Sequence, residues 1–534
     1  MKYLDFCKTF IFYYIKPFKK ENFFMLCIIA LGSLTLTAWG ISSSYALTSL
    51  ANHDVKKFYM WILIMIVSLI IWSLQIHLDS WYYTKVVQKM NTQIRIDIAE
   101  HLGNIEYQDF HQKSSGEYTS WMTNDINMIN DYGYATLQMI ITQIFTITFS
   151  SIALFSFHFS LNIAVFFFAI IMIITPKFFS KSMNRKINEV SNANEKFTNY
   201  SNDIFDKYDL YYSTNNEKIL VEKFEKESLK LANKKISLAT LTGYMYGTNN
   251  FVSLISQVAI LLVAALLFFK NIAPIGTITA AQYFSATIFT SLMGISSNYV
   301  ELKTTQPIFE KFFKSKRRVN NKEELLTISQ GIEFSNVSFK YDDEVVLDNV
   351  NLKFEPGKKY ALVGPSGSGK STILKLLMGF INDYDGAITV DGKDVKTFSK
   401  DSWVNKFTYL EQKSPIIVGT LLENIDISNA NNQIDIANLM DRVGLSEWTI
   451  DKDVSNYIIN ENVLSGGQKQ KIAYARSLIR DTEIILFDEG ISALDRESAS
   501  IIEEDILNSN KTVIIISHHL TDDIKSKLDT IYYL

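Results

Sequence analysis

Six stretches of the chain are apolar for long enough to cross a bilayer, which takes about 20 residues at 1.5 Å each. They lie at roughly Phe23–Leu50, Phe58–Leu78, Leu137–Phe157, Leu161–Phe179, Phe251–Phe269 and Ile275–Val300, the last being the most polar. The connections between them alternate in length. Those after spans one, three and five are a few residues long, whereas those after spans two and four run to roughly 55–70 residues. Both long connections are polar with helical periodicity, as in Tyr83–Glu100 and Lys181–Glu225. Two helical arms of about 25 residues each would extend some 35–40 Å beyond the membrane. Lys16, Lys19 and Lys20 precede span one, which places the N-terminus in the cytoplasm by the positive-inside rule. An even number of spans then puts both arms and the C-terminal half there too. The pattern changes at Lys314–Gln330 (KSKRRVNNKEELLTISQ), where charge replaces apolar runs and a basic cluster is set to meet anionic headgroups. Beyond it, GIEFSNVSFKY and VVLDNVNLKF alternate as antiparallel strands do, and Ile484–Phe487 and TVIIIS are buried-strand runs. The expected organisation is a transmembrane domain at 1–313, with intracellular loops at about 79–136 and 180–250. A linker at 314–330 leads into a second domain at 331–534.

Composition fits a chain partly in lipid: 47% of its 534 residues are hydrophobic and 13% aromatic. A net charge of −4 argues against a nucleic-acid footprint. Two cysteines, Cys7 and Cys27, make no disulfide framework and are expected to be packing residues. The first apolar segment is too long for a cleaved signal and stays as an anchor, so a multi-pass protein of the cell membrane is expected. The spans are nearly free of charge but carry hydroxyls and amides. Gln138, Thr142 and Thr146 form one stripe, and Gln282, Ser285, Thr287, Thr290 and Ser291 mark the last span. Such residues line a pathway for an uncharged or amphipathic substrate or serve interhelical hydrogen bonds, and the sequence leaves both open. His77 and Asp79 fall at the cytoplasmic end of span two, as interfacial residues do.

The chemistry centres on ALVGPSGSGKST, Ala361–Thr372. A short apolar strand breaks at Gly364, loops through Gly367 and Gly369, and restarts as a helix at Lys370. This is the G-x-x-x-x-G-K-[ST] phosphate loop in its strand–loop–helix setting. Glycines let backbone N–H groups turn inward around an anion, and a helix N-terminus adds about half a positive charge. Lys370 supplies a full charge to the β/γ-phosphates, and the Ser371 hydroxyl is placed to ligate Mg²⁺.

Further motifs follow in order: Gln412 in YLEQKSPIIVGTLLENI, LSGGQ at Leu464–Gln468, Asp488–Glu489 after an apolar strand, SALD at Ser492–Asp495, and His518. In the first arm, Phe110, Gly116–Glu117 and Asn124–Asp125 resemble the first intracellular loop of exporter-type ABC transporters. Over essentially its whole length the chain resembles a half-size ABC exporter. The resemblance implies a multi-domain fold: an all-α six-helix transmembrane domain with long cytoplasmic helical arms, then an α/β P-loop ABC ATPase domain with an antiparallel β subdomain and a helical subdomain. It implies short coupling helices near Tyr107–Gln112 and Tyr208–Asn215, with Tyr211 and Tyr212 suited to docking. It implies ATP and Mg²⁺, held by Tyr341 on the adenine and by Gly364, Pro365, Ser366, Gly367, Ser368, Gly369, Lys370, Ser371 and Thr372 on the phosphates. Ser371, Gln412 and Asp488 are the expected metal ligands; Glu489 is the general base, His518 orients the water, and Lys370 and Gln412 complete the catalytic set. Ser465, Gly466, Gly467 and Gln468 are expected to cover the ATP of a second subunit. The intact set of motifs favours a homodimer over half of a heterodimer. The expected activity is ATP-driven export of a hydrophobic, amphipathic or peptide-like substrate. An ATP-gated membrane regulator and an importer on the same scaffold are the alternatives. Glu411 stands where the family has a small residue or proline, His519 replaces an arginine, NYIINENV is short (with Glu461 able to serve its cross-contact), and the family's C-terminal helices are missing after Leu534.

Overall fold

The computed structural model describes residues 12–303, 305–313, 323–341, 344–411, 414–427, 435–446, 448, 457–461, 464–488, 494–517 and 522–534. The chain divides into two compact units. One is Met1–Gly103 with Ser114–Ser315; the other is Lys316–Leu534 together with a ten-residue excursion, Asn104–Lys113.

The first unit is helical throughout. Its long helices are α1 (Lys19–Ala51), α2 (Val55–Gly103), α4 (Ser115–Phe157), α5 (Phe159–Asp206), α7 (Glu217–Phe269) and α8 (Gly276–Lys303). Five of them are long and apolar enough to span a membrane, which makes this a multi-pass membrane protein. The 49 residues of α2 make about 74 Å, far more than the roughly 30 Å hydrocarbon core, so the helix continues as an arm. The sixth expected span lies in α8, which does not reach the same apolarity. The reason is its position: Ala280, Ala281, Phe284 and Phe289 are fully buried against neighbouring helices, so little of its surface needs to suit lipid. At Gly276 a Cβ would stand 2.0 Å from the Ser44 carbonyl oxygen, so only glycine lets α8 start this close to α1.

Most span hydroxyls bond their own helix. Thr37 donates to the Ser33 carbonyl (2.8 Å), Ser44 to Gly40 (3.0 Å) and Thr287 to Tyr283 (2.8 Å). Others tie helices together: Ser33 with Thr146 (3.2 Å), Asn298 donating to Gln143 (3.4 Å), and Gln138 Nε2 donating to both oxygens of Asp79 (3.1 and 2.9 Å). Asp79 thus has an interhelical partner rather than a purely interfacial role. Cys27 lies on an exposed face of α1 rather than in the packed interior.

The arm formed by α2 and α4 has its own core. Val86, Val87, Met90, Ile94 and Ile98 recur at helical spacing and meet Trp121, Ile126, Ile129 and Tyr134. Within α4, Trp121–Asp125 and Asn130–Ala135 are π-helical turns. Such turns free backbone carbonyls, and Arg95 Nε donates to that of Met122 (3.2 Å). Lys311 of α9 (Gln306–Phe312) pairs with Asp125. The tip between α5 and α7 is α6 (Tyr208–Ser213), on which Tyr208, Leu210 and Tyr212 are exposed in this unit.

The second unit begins with α3 (Tyr107–His111), carried on the excursion. Its β-strands form a four-stranded antiparallel sheet, ordered β2–β1–β4–β5, and a five-stranded parallel sheet, ordered β11–β3–β10–β9–β6. The antiparallel strands are β1 (Ile332–Tyr341), β2 (Glu344–Phe354), β4 (Asp385–Val390) and β5 (Lys393–Asp394). The parallel ones are β3 (Lys359–Val363), β6 (Phe407–Leu410), β9 (Ile484–Asp488), β10 (Thr512–Ile516) and β11 (Thr530–Tyr533). A small pair, β7 (Gly419–Thr420) with β8 (Ile458–Ile459), joins a helical region. The helices used below are α10 (Lys370–Leu377), α11 (Leu421–Ile425), α12 (Ile436–Arg442), α13 (Gly466–Arg480) and α14 (Arg496–Asn508). Two hydrophobic clusters result. One lies under β1–β4, β3 and α10; the other joins α11, α12, α13 and α14 to the far side of the parallel sheet. Residues 323–330, expected as linker, are tied to this unit. Leu325 N–H donates to Ser402 Oγ (3.0 Å) and Ile328 N–H to Glu483 (3.0 Å). The basic cluster 314–318 lies outside the described residues.

Asn91 on α2 is fully buried, and neither of its amide atoms has a hydrogen-bond partner among the described residues. An unpaired buried amide costs about 1–3 kcal/mol. Asn91→Leu, similar in volume, should therefore raise the thermal unfolding midpoint of the chain in nanodiscs; a fall would show that the amide is satisfied.

Candidate functional site

The parallel sheet sets up the site. Leu362, Ile516 and Asp488 are in register across β3, β10 and β9, and Leu410 on β6 lies beside Phe487. At about 4.8 Å per strand, Asp488 stands about 10 Å from Leu362, two residues before Gly364. The carboxyl ends of open parallel sheets are where α/β proteins bind ligands.

β3 is almost wholly buried, and its end releases the loop Gly364–Gly369 into α10. Gly367 and Gly369 have φ of +85° and +87°. A Cβ on Gly369 would also stand 2.5 Å from Leu347 Cδ2, so both backbone and space demand glycine. Lys370 is buried, and its ammonium donates to the Gly364 and Pro365 carbonyls (2.8 Å each) and to Ser368 Oγ (3.4 Å). Ser366 and Ser371 are exposed, while Thr372 is buried. A loop with two left-handed glycines that opens a helix N-terminus has the form of an anion site.

Asp488 Oδ2 accepts from Tyr409 Oη at 3.1 Å. Burial, then the Asp488 charge, pushes the Tyr409 phenol up, so it stays protonated. Desolvation, then Asp488, raises Glu411 too, opposed by Lys375. For Mg²⁺ the donor set fits: a serine hydroxyl and a carboxylate are hard oxygens that leave room for phosphate and water. Among the described residues no group of three or more His, Cys, Asp or Glu could hold a metal. Gln412, Glu489 and His518 lie outside the described residues, as does SALD up to Ala493.

Ser465 caps α13 through a reciprocal box: its Oγ accepts from Gln468 N–H (3.2 Å), and Gln468 Oε1 accepts from Ser465 N–H (3.0 Å). Ser465 and Gly466 are exposed. Gln468 thus spends its side chain on the cap. The phosphate loop rests on the first cluster, and Leu464 with α13 on the second.

Tyr341, the expected adenine contact, ends β1. It is half exposed, meets Phe339 edge-on (4.7 Å), and lines a cavity of about 890 Å³ with Tyr107, His111, Lys375 and Phe380. The helix α3 is docked by stacking. Tyr107 lies between Phe380 (4.0 Å, 7°) and His111 (3.9 Å, 26°), and Asn382 donates to Glu106 (3.3 Å). Burial, then Glu411, raises the Tyr107 phenol, so α3 is an electrical neighbour of the strand end at β6. The sequence flagged α3 but not its receptor Phe380, nor Tyr409, nor Arg476. Arg476 on α13 donates to the Asn424 carbonyl (2.5 Å), Pro415 carbonyl (2.7 Å) and Asn424 Oδ1 (3.1 Å), fastening the segment after Gln412 to α13. The one sequence signal for Tyr409 is a polar tip in an otherwise apolar strand, FTYL.

Comparison with known proteins places these features. The ABC transporter transmembrane region profile matches residues 23–292, and the ABC transporter profile matches 347–492. The chain is 26% identical to ABC transporter B family member 13 of Arabidopsis thaliana, over 83% of this chain and 37% of that one. It is 29% identical to the mitochondrial iron-sulfur clusters transporter ATM1 of Kluyveromyces lactis, over 64% and 49%. It is 28% identical to the ATP-dependent lipid A-core flippase of Yersinia pestis, over 83% and 78%. The chain thus spans about a third to a half of the length of the first two of these relatives. A bacterial Atm1-family ABC exporter solved with ATP bound has the same fold, with a TM-score of 0.81 at 19% identity, covering 96% of this chain and 94% of that one.

Removing the Arg476 guanidinium takes the charged donor from the carbonyl and side-chain oxygens of fully buried Asn424. Arg476→Ala is expected to cost about 2–3 kcal/mol, seen as a lower unfolding midpoint of the full chain without nucleotide, with Arg476→Lys recovering only part. An unchanged midpoint for Arg476→Ala would remove the clamp.

Proposed function

The chain belongs to the ABC transporter family, and from that premise we propose that it is an ATP-driven exporter working as a dimer, most simply a homodimer. The observation that carries this reading is a glycine-built phosphate loop, with its lysine, in a unit that also holds a docked helix from the membrane half's first arm.

The loop amides and Lys370 bind the β/γ-phosphates, and Tyr341 stacks on the adenine, a contact worth about 1–3 kcal/mol. A bound Mg²⁺ would supply positive charge to offset the negative charge that develops on the phosphates. Ser371, Gln412 and Asp488 would hold it. Glu489 takes a proton from the attacking water as general base, and His518 orients that water toward the γ-phosphate. Ser465, Gly466 and Gly467 of each subunit cover the ATP of the other. Their exposed helix N-terminus is a second anion site, resting on a different hydrophobic cluster from the phosphate loop. ATP therefore joins two subunits, and hydrolysis releases them.

Closure is passed on through α3. Tyr107 follows Phe380, and the long α2 and α4 convert that displacement into a change between inward-open and outward-open arrangements. The spans carry hydroxyls and amides rather than charges, which supports a hydrophobic, amphipathic or peptide-like substrate. The cytoplasmic placement of the N-terminus and ATPase unit rests on the lysines before span one.

The test is steady-state ATP hydrolysis by the chain alone in lipid nanodiscs. Glu489→Gln is expected to cut turnover at least about 100-fold while keeping ATP binding; wild-type turnover in that variant refutes the assignment. Binding without turnover in the wild type points to a heterodimer. Vectorial uptake into inverted vesicles then separates an exporter from a regulator or an importer.

Phe380→Ala, which removes one side of the Tyr107 stack, is expected to leave basal hydrolysis within about twofold and to reduce transport per ATP about fivefold or more, the loss of an aromatic pair worth roughly 1 kcal/mol. Equal transport per ATP in both proteins would show that α3 is not the route.

A further inference from the structure

We propose that Tyr409 is a positioning residue of the ATPase centre: its hydroxyl fixes the orientation of the Asp488 carboxylate that holds Mg²⁺. The inference rests on the ATPase reading above and concerns a side chain that the sequence motifs pass over.

Three observations carry it. The first is distance, since Tyr409 Oη donates to Asp488 Oδ2 at 3.1 Å. The second is register. β6 and β9 are parallel neighbours with Tyr409 beside Leu486 and Leu410 beside Phe487. The phenol therefore starts two residues short of Asp488 along the sheet and reaches forward to the strand end. The third is anchoring, because the Tyr409 ring packs against the cluster under the phosphate loop, which holds the hydroxyl in place.

The chemistry follows. A carboxylate at a strand end rotates about its last bond, and a ligand to a metal or to its bound water works best in one orientation. Second-shell partners that fix this orientation commonly change metal affinity by about 10–100-fold. One donated hydrogen bond pins Oδ2 and leaves Oδ1 and a lone pair of Oδ2 for the metal shell. The bond also offsets negative charge at a place where Glu411 stands close enough to act on Asp488. No other side chain is shown donating to Asp488 among the described residues. The same tyrosine lies at the strand end that faces the docked helix, as Tyr107 and Glu411 are electrical neighbours of each other and of Tyr409. Metal positioning and arm docking thus meet at one strand tip.

The test uses full-length chain in nanodiscs with saturating ATP and Mn²⁺ as the spectroscopic stand-in for Mg²⁺. Tyr409→Phe keeps the ring and loses only the hydroxyl. Its Mn²⁺ affinity, read by electron paramagnetic resonance titration, is expected to fall about tenfold, with ATP affinity unchanged in the absence of metal and an unfolding midpoint close to wild type. The magnesium concentration for half-maximal hydrolysis should rise by a similar factor. In an Asp488→Asn background, where the carboxylate is gone, Tyr409→Phe should add no further loss. Tyr409→Leu, which also keeps an apolar filling, should match Tyr409→Phe. Mn²⁺ affinity equal to wild type in a folded Tyr409→Phe protein overturns the inference, as does a lower midpoint with unchanged affinity, the mark of a purely structural tyrosine. Failure of the wild type itself to bind Mn²⁺ with ATP would instead overturn the ATPase reading.

Discussion

Ten residues of the chain's first half are folded into its second half, and an aromatic stack helps to fasten them there. The helix α3 has only five residues. A segment of that length has no helical stability of its own, because nucleation fixes several residues for a single hydrogen bond. Its existence therefore depends on docking, to which the stack of Tyr107 on Phe380 and the amide bond from Asn382 to Glu106 contribute, while His111 of the same helix braces the Tyr107 ring from its other face. Stacked pairs contribute about 0.5–1.5 kcal/mol each beyond buried area. That is small against the free energy available from a nucleotide. A joint of this kind works by geometry, since flat rings in contact transmit displacement normal to their planes while allowing slip within them.

The helices on either side of this joint supply the stiffness. α2 and α4 run from the membrane through the arm without a loop, and their shared core is as tightly buried as that of an ordinary domain. The exceptions are polar. The π-turns of α4 and the unpaired amide of Asn91 lie in this same arm. Packing is otherwise continuous along the arm. Inside the membrane the same economy holds, with hydroxyls satisfied by their own helix and only a few pairs, such as Gln138 with Asp79, linking one helix to another.

What the sequence revealed and what it concealed divide along physical lines. The phosphate loop is legible because its backbone geometry forbids side chains: Gly369 combines a left-handed conformation with a 2.5 Å conflict for any Cβ. The antiparallel strands are legible by alternation, and Ile332 does pair with Phe354 and Val390. The apolar spans are legible by length, except for α8, whose polarity reflects burial at the centre of the bundle rather than doubt about its helix. The coupling segment was flagged by resemblance, yet its receptor Phe380 was not, because that pairing joins residues about 270 positions apart and leaves no periodic trace. The Tyr409 contact with Asp488 depends on the register of two strands nearly 80 residues apart, and Arg476 on how one helix crosses a loop. Local patterns carry backbone requirements; side-chain meetings across the fold need the fold itself.

The two anion sites show why register matters for function as well. Both α10 and α13 begin with glycine-rich turns, but they stand on different hydrophobic clusters. A lysine and two left-handed glycines shape the first site. The second has its first donors already satisfied by the box between Ser465 and Gln468, so it enters any nucleotide contact preorganised rather than folding around it. A preorganised cap loses little entropy on binding, which suits a surface that on the proposed reading must engage and release in every cycle. Arg476 extends that logic inward. It ties the segment that follows Gln412 to α13, the helix that the cap begins. On the proposed reading, strand tip, clamp and docked helix are the three places where a change at the phosphates would reach Tyr107.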